Sequence, residues 1–354
     1  MLLGGPALSM MLALLLIFHE GGYEPFGLSS LLPAVGACIA LLLLVPRSER
    51  LVRYTTLLYL GLLLFAYFFR SPMGSNAVRF GVLFAPAVLA GYAGIVEIEW
   101  TLVRVRSPWW KLRSSVARLP RRLGRPQAVW VCLLSLVALV GWQVTGPLSQ
   151  SVGASSDPAS RESFYTPVIR YLDSRDRSGP MRIEVPFTSS HWDAAILGAR
   201  FDLARGWDRQ LDTRYDSLFY GPHLSAAAYQ GWLLDDGVRF VALSDAATDF
   251  SSIQEARLIS RGLPFLRLVF GSAHWHVYEV RVERPLATGP GYLASMNGDG
   301  FSVSATHAGT FLIRIHYTPY WDVTSGSGAL SEATGGWTRL SASRAGVIAV
   351  DAEL

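Results

Sequence analysis

The sequence predicts a membrane α-helical bundle of about five transmembrane helices, followed by an extracytoplasmic region that combines an α/β layer with an antiparallel β-sandwich. Three observations point to this fold class. Apolar residues make up 51% of the 354 residues and charged residues only 16%. Long apolar runs are confined to the first 150 residues. The remainder alternates helix-like and strand-like patterns and ends in short strand-like runs.

Residues 1–146 are predicted to form the transmembrane helical domain. A helix needs about 20 predominantly apolar residues to cross the hydrocarbon core of a bilayer, and unpaired backbone groups are too costly there for other structures. The predicted spans lie near Leu2–Phe18, Ser30–Val45, Leu51–Phe69, Val78–Val96 and Ala128–Thr145. The expected partner of this domain is therefore the lipid bilayer.

Basic residues predict the orientation of these spans. Three arginines lie between the second and third spans, and eight basic residues crowd the loop over 98–127. The other connections carry only Arg70 and Arg79. Because cytoplasmic loops are enriched in Lys and Arg, both basic loops are predicted to be cytoplasmic. We therefore expect a multi-pass protein of the plasma (inner) membrane, with its N-terminus in the cytoplasm and everything after Thr145 outside.

The charge distribution argues against a nucleic-acid partner. Residues 1–150 hold thirteen basic and five acidic residues, whereas residues 151–354 hold eighteen and twenty-two. The excess positive charge thus lies beside predicted spans rather than on a soluble face. An aromatic content of 12% excludes a disordered chain. Both cysteines, Cys38 and Cys132, fall in predicted spans, so no disulfide is expected in the outer region.

After a Ser/Pro/Gly-rich linker over 147–160, residues 161–284 are predicted to form an α/β subdomain. The spacing of Phe164, Val168 and Leu172 predicts a helix over Glu162–Asp173. The other predicted helices are Ala194–Ala199, Leu224–Leu234 and Ile253–Ser260, and the predicted strands are Arg182–Phe187, Val238–Leu243, Leu266–Phe270 and Trp275–Val282.

From about Pro285 the pattern changes to short alternating runs separated by Gly and Ser. The runs FSVSAT, TFLIRIHY, GWTRLSA and GVIAVDA have the period of two that is typical of half-buried strands. This spacing predicts a β-sandwich-like subdomain over 285–354.

The candidate substrate-binding site follows residue 204, where charged and aromatic residues are densest. Carboxylates can bind sugar hydroxyls, aromatic rings can stack on the apolar face of a sugar, and arginines can bind phosphate through two hydrogen bonds. The candidate residues are Arg205, Trp207, Asp208, Arg209, Asp212 and Tyr215. The alternative is a structural role for this segment. If the segment is helical, charges three and four residues apart can form ion pairs, and ion-pair networks with a purely structural role are common.

Arg70 and Arg79 flank the second outer loop and are candidates to contact a lipid phosphate, or simply the headgroup region. His274 and His276 lie two apart in a predicted strand and so share a face. No further ligand occurs at a suitable spacing, so no metal site is predicted. No catalytic residue is assigned, because the sequence carries none of the common phosphate-loop, nucleophile-elbow or zinc motifs.

Four passages suggest a relationship: RSPMGSNAVRFGVLFAPAVLAG at 70–91, ARGWDRQLDTRYDSLFYGPHLSAAAYQGWLLDDGVRFVALSDA at 204–246, GLPFLRLVFGSAHWHVYEV at 262–280 and YTPYWDVTSGSGAL at 317–330. They resemble a group of uncharacterised bacterial polytopic membrane proteins that are similar to GT-C-type glycosyltransferases. The resemblance implies a polyprenyl-phosphate sugar as donor and admits a divalent metal as cofactor. Enzymes of that type carry a catalytic acid in an early outer loop, and no residue here matches it. The chain is therefore expected to be the C-terminal portion of a longer protein.

Two functions follow from these expectations. The first is a glycosyltransferase-like protein of cell-envelope glycan assembly, in which an acid would deprotonate the acceptor hydroxyl and arginines would stabilise the departing phosphate. The alternative is a non-enzymatic, membrane-anchored binding or assembly protein with an extracytoplasmic interaction domain.

Overall fold

The computed structural model describes residues 9–10, 13, 21–45, 47–104, 125–175 and 179–352, without the side chains of 92–104, 125–129, 131–132 and 150. The chain divides into two compact units. The first unit comprises Met1–Gly153 together with Arg209–Arg214, and the second comprises Ala154–Asp208 and Tyr215–Leu354.

The described part of the first unit is helical. Its helices are α1 (Leu28–Leu44), α2 (Arg50–Phe68), α3 (Val78–Arg104) and α4 (Arg125–Ser156, of which the last residues belong to the second unit), with a short 3-10 turn over Gly74–Ala77. Helix α1 packs against α2 and α3. Small buried residues such as Ala34 and Cys38 on α1 and Ala66 on α2 allow the helices to approach closely.

The predicted fold class, a bundle of about five transmembrane helices, is wrong. Within the described residues, one helix is long and apolar enough to cross a bilayer: α2, with 19 residues and a mean hydropathy of 1.6. Helix α1 is apolar but has only 17 residues. At 1.5 Å per residue it extends about 25 Å, short of the roughly 30 Å of hydrocarbon. Ser9, Met10 and Ala13 are the only described residues of the first predicted span. Residues 105–124 of the predicted basic loop also lie outside the described residues.

The prediction is wrong because an apolar run in a sequence does not reveal whether lipid or a neighbouring helix covers it. The runs over 30–45 and 51–69 supply the buried contacts between α1 and α2, including Leu31 and Leu63. Helices α3 and α4 also extend beyond their apolar runs into charged or polar sequence, and each contains a proline, Pro86 or Pro147. The multi-pass prediction counted every apolar run as lipid-covered, and the fold uses part of that surface for packing between helices.

The segment Arg209–Arg214, which begins helix α7 (Arg209–Tyr215), belongs to the first unit through specific hydrogen bonds. The backbone N–H of Tyr23 donates to the Thr213 hydroxyl oxygen at 3.2 Å, and that hydroxyl lies 2.7 Å from the Tyr23 carbonyl oxygen. The Gln210 side-chain amide donates to the Pro72 carbonyl oxygen at 3.3 Å. A Cβ at Gly22 would lie 1.9 Å from the Gln210 carbonyl oxygen, so this close approach requires glycine.

The second unit begins with an α/β layer. Its helices, before and after α7, are α5 (Glu162–Asp173), α6 (Trp192–Leu197), α8 (Ala226–Asp235) and α9 (Ile253–Ser260). Its strands are β1 (Arg182–Glu184), β2 (Asp202–Leu203), β3 (Val238–Ser244), β4 (Leu266–Gly271) and β5 (Trp275–Val280), in the order β2-β1-β3-β5-β4. Strands β2, β1 and β3 are parallel, whereas β5 and β4 complete the sheet in antiparallel fashion.

The core of this layer follows directly from the amphipathic pattern of α5. Phe164, Val168 and Leu172 are all buried against the sheet. Trp275 is completely buried on β5, and its indole N–H donates to the Phe164 carbonyl oxygen at 2.9 Å, so the aromatic ring and its one polar atom are both accommodated.

The remainder of the second unit consists of two antiparallel four-stranded sheets that share one apolar core. The strands are β6 (Ala287–Thr288), β7 (Gly291–Met296), β8 (Gly300–Ala305), β9 (Gly309–His316), β10 (Trp321–Ser325), β11 (Gly328–Glu332), β12 (Trp337–Ala342) and β13 (Gly346–Ala352). The sheet orders are β10-β13-β8-β7 and β11-β12-β9-β6. Val303, Phe311, Ile313 and Leu340 lie fully buried between them, as the period-two pattern requires.

Candidate functional site

The loops that follow β1, β2 and β3 meet at one edge of the α/β sheet. These three strands are parallel, so their carboxyl ends point the same way, and such edges commonly bind ligands in α/β proteins. The three segments are residues 185–191, 204–208 and 245–252. A bridge between Thr188 and Thr248 joins the first segment to the third.

A buried ion cluster holds these loops together beneath the surface. The side chains of Arg205, Glu184 and Glu255 are all fully buried. A guanidinium nitrogen of Arg205 lies 3.4 Å from a Glu255 carboxylate oxygen and 3.9 Å from a Glu184 oxygen. The guanidinium carbon also lies 3.7 Å from the ring centroid of Phe219 and 4.4 Å from that of Phe187. Aromatic faces on two sides favour the cation in this dry position.

The two carboxyl groups of the cluster differ in charge. Burial raises the pKa of Glu184 well above its ordinary value of 4.5, and the nearby Glu255 raises it further, against the opposing effect of Arg205. Glu255 accepts a hydrogen bond from the Tyr229 hydroxyl at 2.8 Å, and a hydrogen bond between the Glu184 and Glu255 side chains also raises the pKa of Glu184. These surroundings favour the neutral acid at Glu184 and leave Glu255 as the carboxylate that balances Arg205.

At the surface of this edge, His191 pairs with Asp249. The imidazole Nε2 of His191 lies 3.5 Å from Asp249 Oδ2. The other Asp249 oxygen accepts hydrogen bonds from the backbone N–H and the hydroxyl of Ser251, at 2.9 and 2.7 Å. His191 has a φ of 56°, the only positive φ of a non-glycine residue in the described part of the chain. Such a conformation costs about 1–3 kcal/mol and persists where the surroundings require it.

The backbone that holds His191 in place is fixed by Asp193. One Asp193 carboxylate oxygen accepts hydrogen bonds from the Thr188 backbone N–H, at 3.2 Å, and from the Thr188 hydroxyl. The second Asp193 oxygen and His191 Nδ1 are both buried without a hydrogen-bond partner. Burial raises the pKa of Asp193 from 3.8, against the opposing effect of the Thr188 hydrogen bonds. This leaves a ring nitrogen of His191 with unused hydrogen-bonding capacity.

Three exposed aromatic residues either contact His191 or directly follow a member of the His191–Asp249 pair in the sequence. Trp207 is 62% exposed, and its ring lies 5.7 Å from that of His191 at an interplanar angle of 32°. Trp192, the next residue after His191, is 45% exposed, and Phe250, the next after Asp249, is 58% exposed. Large aromatic residues are rarely left this exposed in groups unless they contact a ligand or partner. The arrangement offers flat apolar faces beside an imidazole and a carboxylate.

The predicted substrate-binding residues are distributed over both units. Arg205 lies in the buried cluster and outside helix α7, which begins at Arg209. Trp207 and Asp208 are exposed in the second unit. The structure therefore places Trp207 at the carboxyl edge described above, and Arg205 beneath it.

The other predicted residues lie elsewhere. Arg209 and Asp212 belong to the first unit, where Asp212 is buried. Tyr215 belongs to the second unit and stacks on His316 with 3.9 Å between ring centroids. In the first unit, the Arg70 guanidinium lies 4.9 Å from the centre of the Tyr23 ring, and Arg79 is exposed in the first turn of α3.

The histidines considered as metal ligands have other surroundings. His274 Nδ1 lies 3.0 Å from an Asp245 carboxylate oxygen. Across the described residues, no group of three or more His, Cys, Asp or Glu side chains is placed to hold a metal ion. A divalent metal therefore has no candidate ligand set in the part of the chain that the structure describes.

Sequence reasoning did not identify Glu184, Glu255, His191 or Asp249 as members of one site. One signal was available: Glu255 falls on the apolar side of the helix over Ile253–Ser260. A charged residue at a buried position requires a partner, but the sequence does not reveal which one.

Comparison with known proteins gives no relative from which a role could be transferred. No protein-family model, no curated protein and no solved structure matches the chain. The function must therefore be argued from the geometry of the carboxyl edge.

Proposed function

We propose that this chain is a membrane-anchored carbohydrate-binding protein of the cell envelope. The observation that carries the proposal is the exposed ring of Trp207 beside the His191–Asp249 pair. A sugar ring has an apolar face and a rim of hydroxyl groups. A tryptophan face can cover the first, while a carboxylate such as that of Asp249 can bind the second.

The polar groups of the edge suit neutral hydroxyl groups. Asp249 is fixed by Ser251 and His191, so an incoming hydroxyl meets an acceptor whose position is already determined. The buried Arg205 cluster does not contact the ligand and holds the loops in place from below. Preorganised groups of this kind raise affinity because little order is lost on binding.

The proposed anchor is helix α2. Its exposed apolar residues Leu58, Phe65 and Phe68 form the kind of surface that lipid covers. Three arginines, at 47, 50 and 53, lie at or near its first turn, whereas Arg70 lies beyond its end. By the positive-inside rule the first end faces the cytoplasm. We place the carbohydrate-binding unit in the extracytoplasmic space.

The test uses the full chain purified in detergent, with cellohexaose, chitohexaose and mannohexaose as probes, and titration calorimetry as the readout. At least one probe should bind saturably. Trp207→Ala should weaken that binding about tenfold, because the aromatic face is lost, and Trp207→Phe should restore most of it. The matched control is Tyr292→Ala, since Tyr292 is equally exposed, at 62%, on strand β7.

Two outcomes would contradict the proposal. One is that none of the three probes binds at about 10 mM, a concentration that detects even weak complexes. The other is that Tyr292→Ala and Trp207→Ala reduce binding equally, which would mean that the rings act through general stability rather than through contact.

Glycosyl transfer is the second candidate, and the Asp249–His191 pair favours it. A carboxylate beside an imidazole can take the proton from an acceptor hydroxyl as that hydroxyl attacks the anomeric carbon of a sugar donor, whose bond to the phosphate breaks so that the polyprenyl phosphate leaves. In the same preparation, transfer from a labelled polyprenyl-phosphate sugar should then be lost in Asp249→Asn. Failure of the wild-type chain to transfer sugar, with binding intact, would leave the carbohydrate-binding proposal alone.

A further inference from the structure

Helices α2 and α3 both pack against α1, and a cleft of about 250 Å³ remains between them. Its floor is formed by α1, through Ala37, Cys38 and Leu41. Its two walls are formed by residues of α2 between positions 52 and 59 and by residues of α3 between positions 80 and 88. All of these residues belong to the first unit.

One end of the cleft is closed by Tyr59. Its hydroxyl donates to the Ala77 carbonyl oxygen at 2.8 Å and accepts from the Gly81 N–H at 2.9 Å. A Cβ at position 81 would lie 2.7 Å from the Tyr59 hydroxyl oxygen, so a larger residue there would push this hydroxyl away. The Tyr59 ring also lies 5.2 Å from that of Phe80. The cleft is therefore a channel that begins at this contact and runs along α2 toward Val52.

The cleft offers an occupant no polar group that still needs a partner. The Thr55 hydroxyl donates to the Leu51 carbonyl oxygen at 3.0 Å, and the Thr56 hydroxyl donates to that of Val52 at 2.8 Å. Together with the bonds of Tyr59, these contacts pair every hydroxyl group that lines the cleft. A buried water needs about two to four polar partners, and apolar cavities of about 150 Å³ stay dry and bind apolar molecules. The chemistry of the lining therefore calls for an apolar occupant.

The dimensions of the cleft fit a single hydrocarbon chain. The wall on α2 runs from Val52 to Tyr59, which is about 10 Å at 1.5 Å per residue. A volume of about 250 Å³ over that length corresponds to a channel roughly 5–6 Å across. Carbon atoms in contact lie about 3.5–4.0 Å apart, so one file of methylene groups fills such a channel. A helix about 10 Å in diameter does not fit, nor does a strand of about 4.8 by 10 Å.

The mouth of the cleft lies on the apolar outer surface of the helices. Thr55 on α2 is exposed at the mouth, and Phe84 on α3 is 51% exposed, whereas Cys38 on the floor is 1% exposed. Leu58 and Leu83, on the same two helices, are 74% and 58% exposed. The cleft thus opens sideways onto the kind of surface that lipid covers, so a chain can enter from the side.

We propose that this cleft binds one acyl chain of a membrane phospholipid, which lies along α1 between α2 and α3. The chain would fill the space that the three helices leave open and make dispersion contacts with both walls and the floor. This inference rests on the proposed function only through the membrane anchor at α2, and it is independent of carbohydrate binding.

The probe is a phosphatidylcholine with a diazirine midway along one acyl chain, incorporated at low fraction into phosphatidylcholine nanodiscs that contain the full chain. After irradiation, the cross-linked residues are mapped by mass spectrometry of peptides. Cross-links are expected on the floor, over residues 37–41, which phospholipid that merely surrounds the helices cannot reach because these residues are shielded by α2 and α3. Cross-links at exposed residues such as Leu58 and Phe65 are expected in any case if α2 lies in lipid.

A variant at the mouth tests whether the floor is reached through the cleft. Thr55→Trp should lower the yield of floor cross-links about tenfold, because the indole occupies the space that the chain would fill. Position 55 is exposed, so this change leaves the buried contacts between the helices intact. The matched control is Leu58→Trp, at an exposed position on the same helix outside the lining, which should leave the floor yield unchanged.

The outcomes separate this inference from the proposals above. Cross-links at Leu58 without cross-links on the floor would overturn the inference and leave the anchor in place, whereas their absence from both would contradict the anchor as well. An equal loss of floor cross-links in Thr55→Trp and Leu58→Trp would also overturn it. A free fatty acid with the same diazirine tests the source of the chain: if it labels the floor and the phosphatidylcholine does not, a phospholipid is not the occupant. Calorimetry with the hexasaccharides reports on carbohydrate binding separately.

Discussion

Glu184 and Glu255 lie close to the guanidinium of Arg205, yet the two carboxyl groups have different surroundings. Glu255 has the Tyr229 hydroxyl and a guanidinium nitrogen of Arg205 as partners, at 2.8 and 3.4 Å. The pKa of Glu184 is raised first by burial and then by the charge of Glu255, and a hydrogen bond between the two side chains raises it further. One buried positive charge balances one negative charge, so the second carboxyl is best accommodated as the neutral acid.

This asymmetry predicts unequal effects of two similar substitutions at pH 7. Glu184→Gln should raise the free energy of unfolding at this pH, because the wild-type carboxyl must take up a proton when the chain folds above pH 4.5 and an amide need not. Glu255→Gln should cost about 3–5 kcal/mol, because it leaves Arg205 buried without its counter-charge. Urea unfolding of the two purified variants measures the difference, and equal losses would show that Glu184 carries charge in the folded state.

The raised pKa of Glu184 also determines the direction in which the folding stability changes with pH. A folded-state pKa raised above 4.5 gives stability that is fully present below pH 4.5 and is lost as the pH rises through the raised value. The wild-type chain should therefore lose stability toward alkaline pH by a component that Glu184→Gln removes.

At the scale of elements, sequence patterns predicted several helices and strands well but not their partners. The helices over Glu162–Asp173 and Ile253–Ser260 begin and end where the periodicity placed them. Periodicity reports a local alternation between buried and exposed positions, so it is readable from one sequence. The ion-pair alternative requires Arg205 and Asp208 to share a helix, but the structure places both in a loop before α7. That loop is fixed by distant residues, which local spacing does not reveal.

The wrong prediction of a transmembrane bundle and the unrecognised site at the carboxyl edge have the same cause: a sequence does not reveal which segments lie side by side. Apolar runs identify segments that avoid water, but not whether lipid or a neighbouring helix covers them. His191 and Asp249 are 58 positions apart in the sequence and meet because β1 and β3 are adjacent and parallel. Strand order is a property of the whole sheet, so the site could not be assembled from its motifs.

Asp236 is the C-cap residue of helix α8 and lies where α8, β1 and β9 meet. Its carboxyl is a second source of pH-dependent stability. Arg182 on β1 donates to the carbonyl oxygens of Asp236 and of Arg314 on β9, at 2.9 and 2.6 Å. Burial raises the pKa of the Asp236 carboxyl from 3.8 to about 7, against the opposing effect of Arg182. The junction thus encloses a carboxyl that is favoured in its neutral form.

We expect this junction to weaken as the pH rises from about 4 to about 7. The proton bound by folded Asp236 contributes stability that is complete below pH 3.8 and is lost as the pH rises through about 7. The shift corresponds to at most about 4 kcal/mol. Asp236→Asn should flatten the unfolding free energy over this range, measured by urea unfolding at a series of pH values. Asp322→Asn, at an exposed aspartate on β10, should leave the slope unchanged, and equal slopes in all three proteins would contradict the assignment.

For the molecule as a whole, the proposals depend on which side of the membrane holds each part. The first unit exposes large apolar side chains that water does not favour, among them Leu43, Leu58 and Phe68. Basic residues lie on the N-terminal side of α2. A carbohydrate-binding edge is useful in the envelope only if the β-rich unit reaches the extracytoplasmic space.

Cysteine accessibility in intact cells tests this arrangement. In a background without Cys38 and Cys132, Arg344→Cys places a thiol at an exposed turn before β13, and Arg47→Cys places one just before α2. A membrane-impermeant maleimide should label position 344 in intact cells, whereas position 47 should react only after the cells are permeabilised, because the positive-inside rule places it in the cytoplasm. If position 344 also required permeabilisation, an envelope glycan could not reach Trp207, and the carbohydrate-binding proposal would fail whatever the affinity measured in detergent.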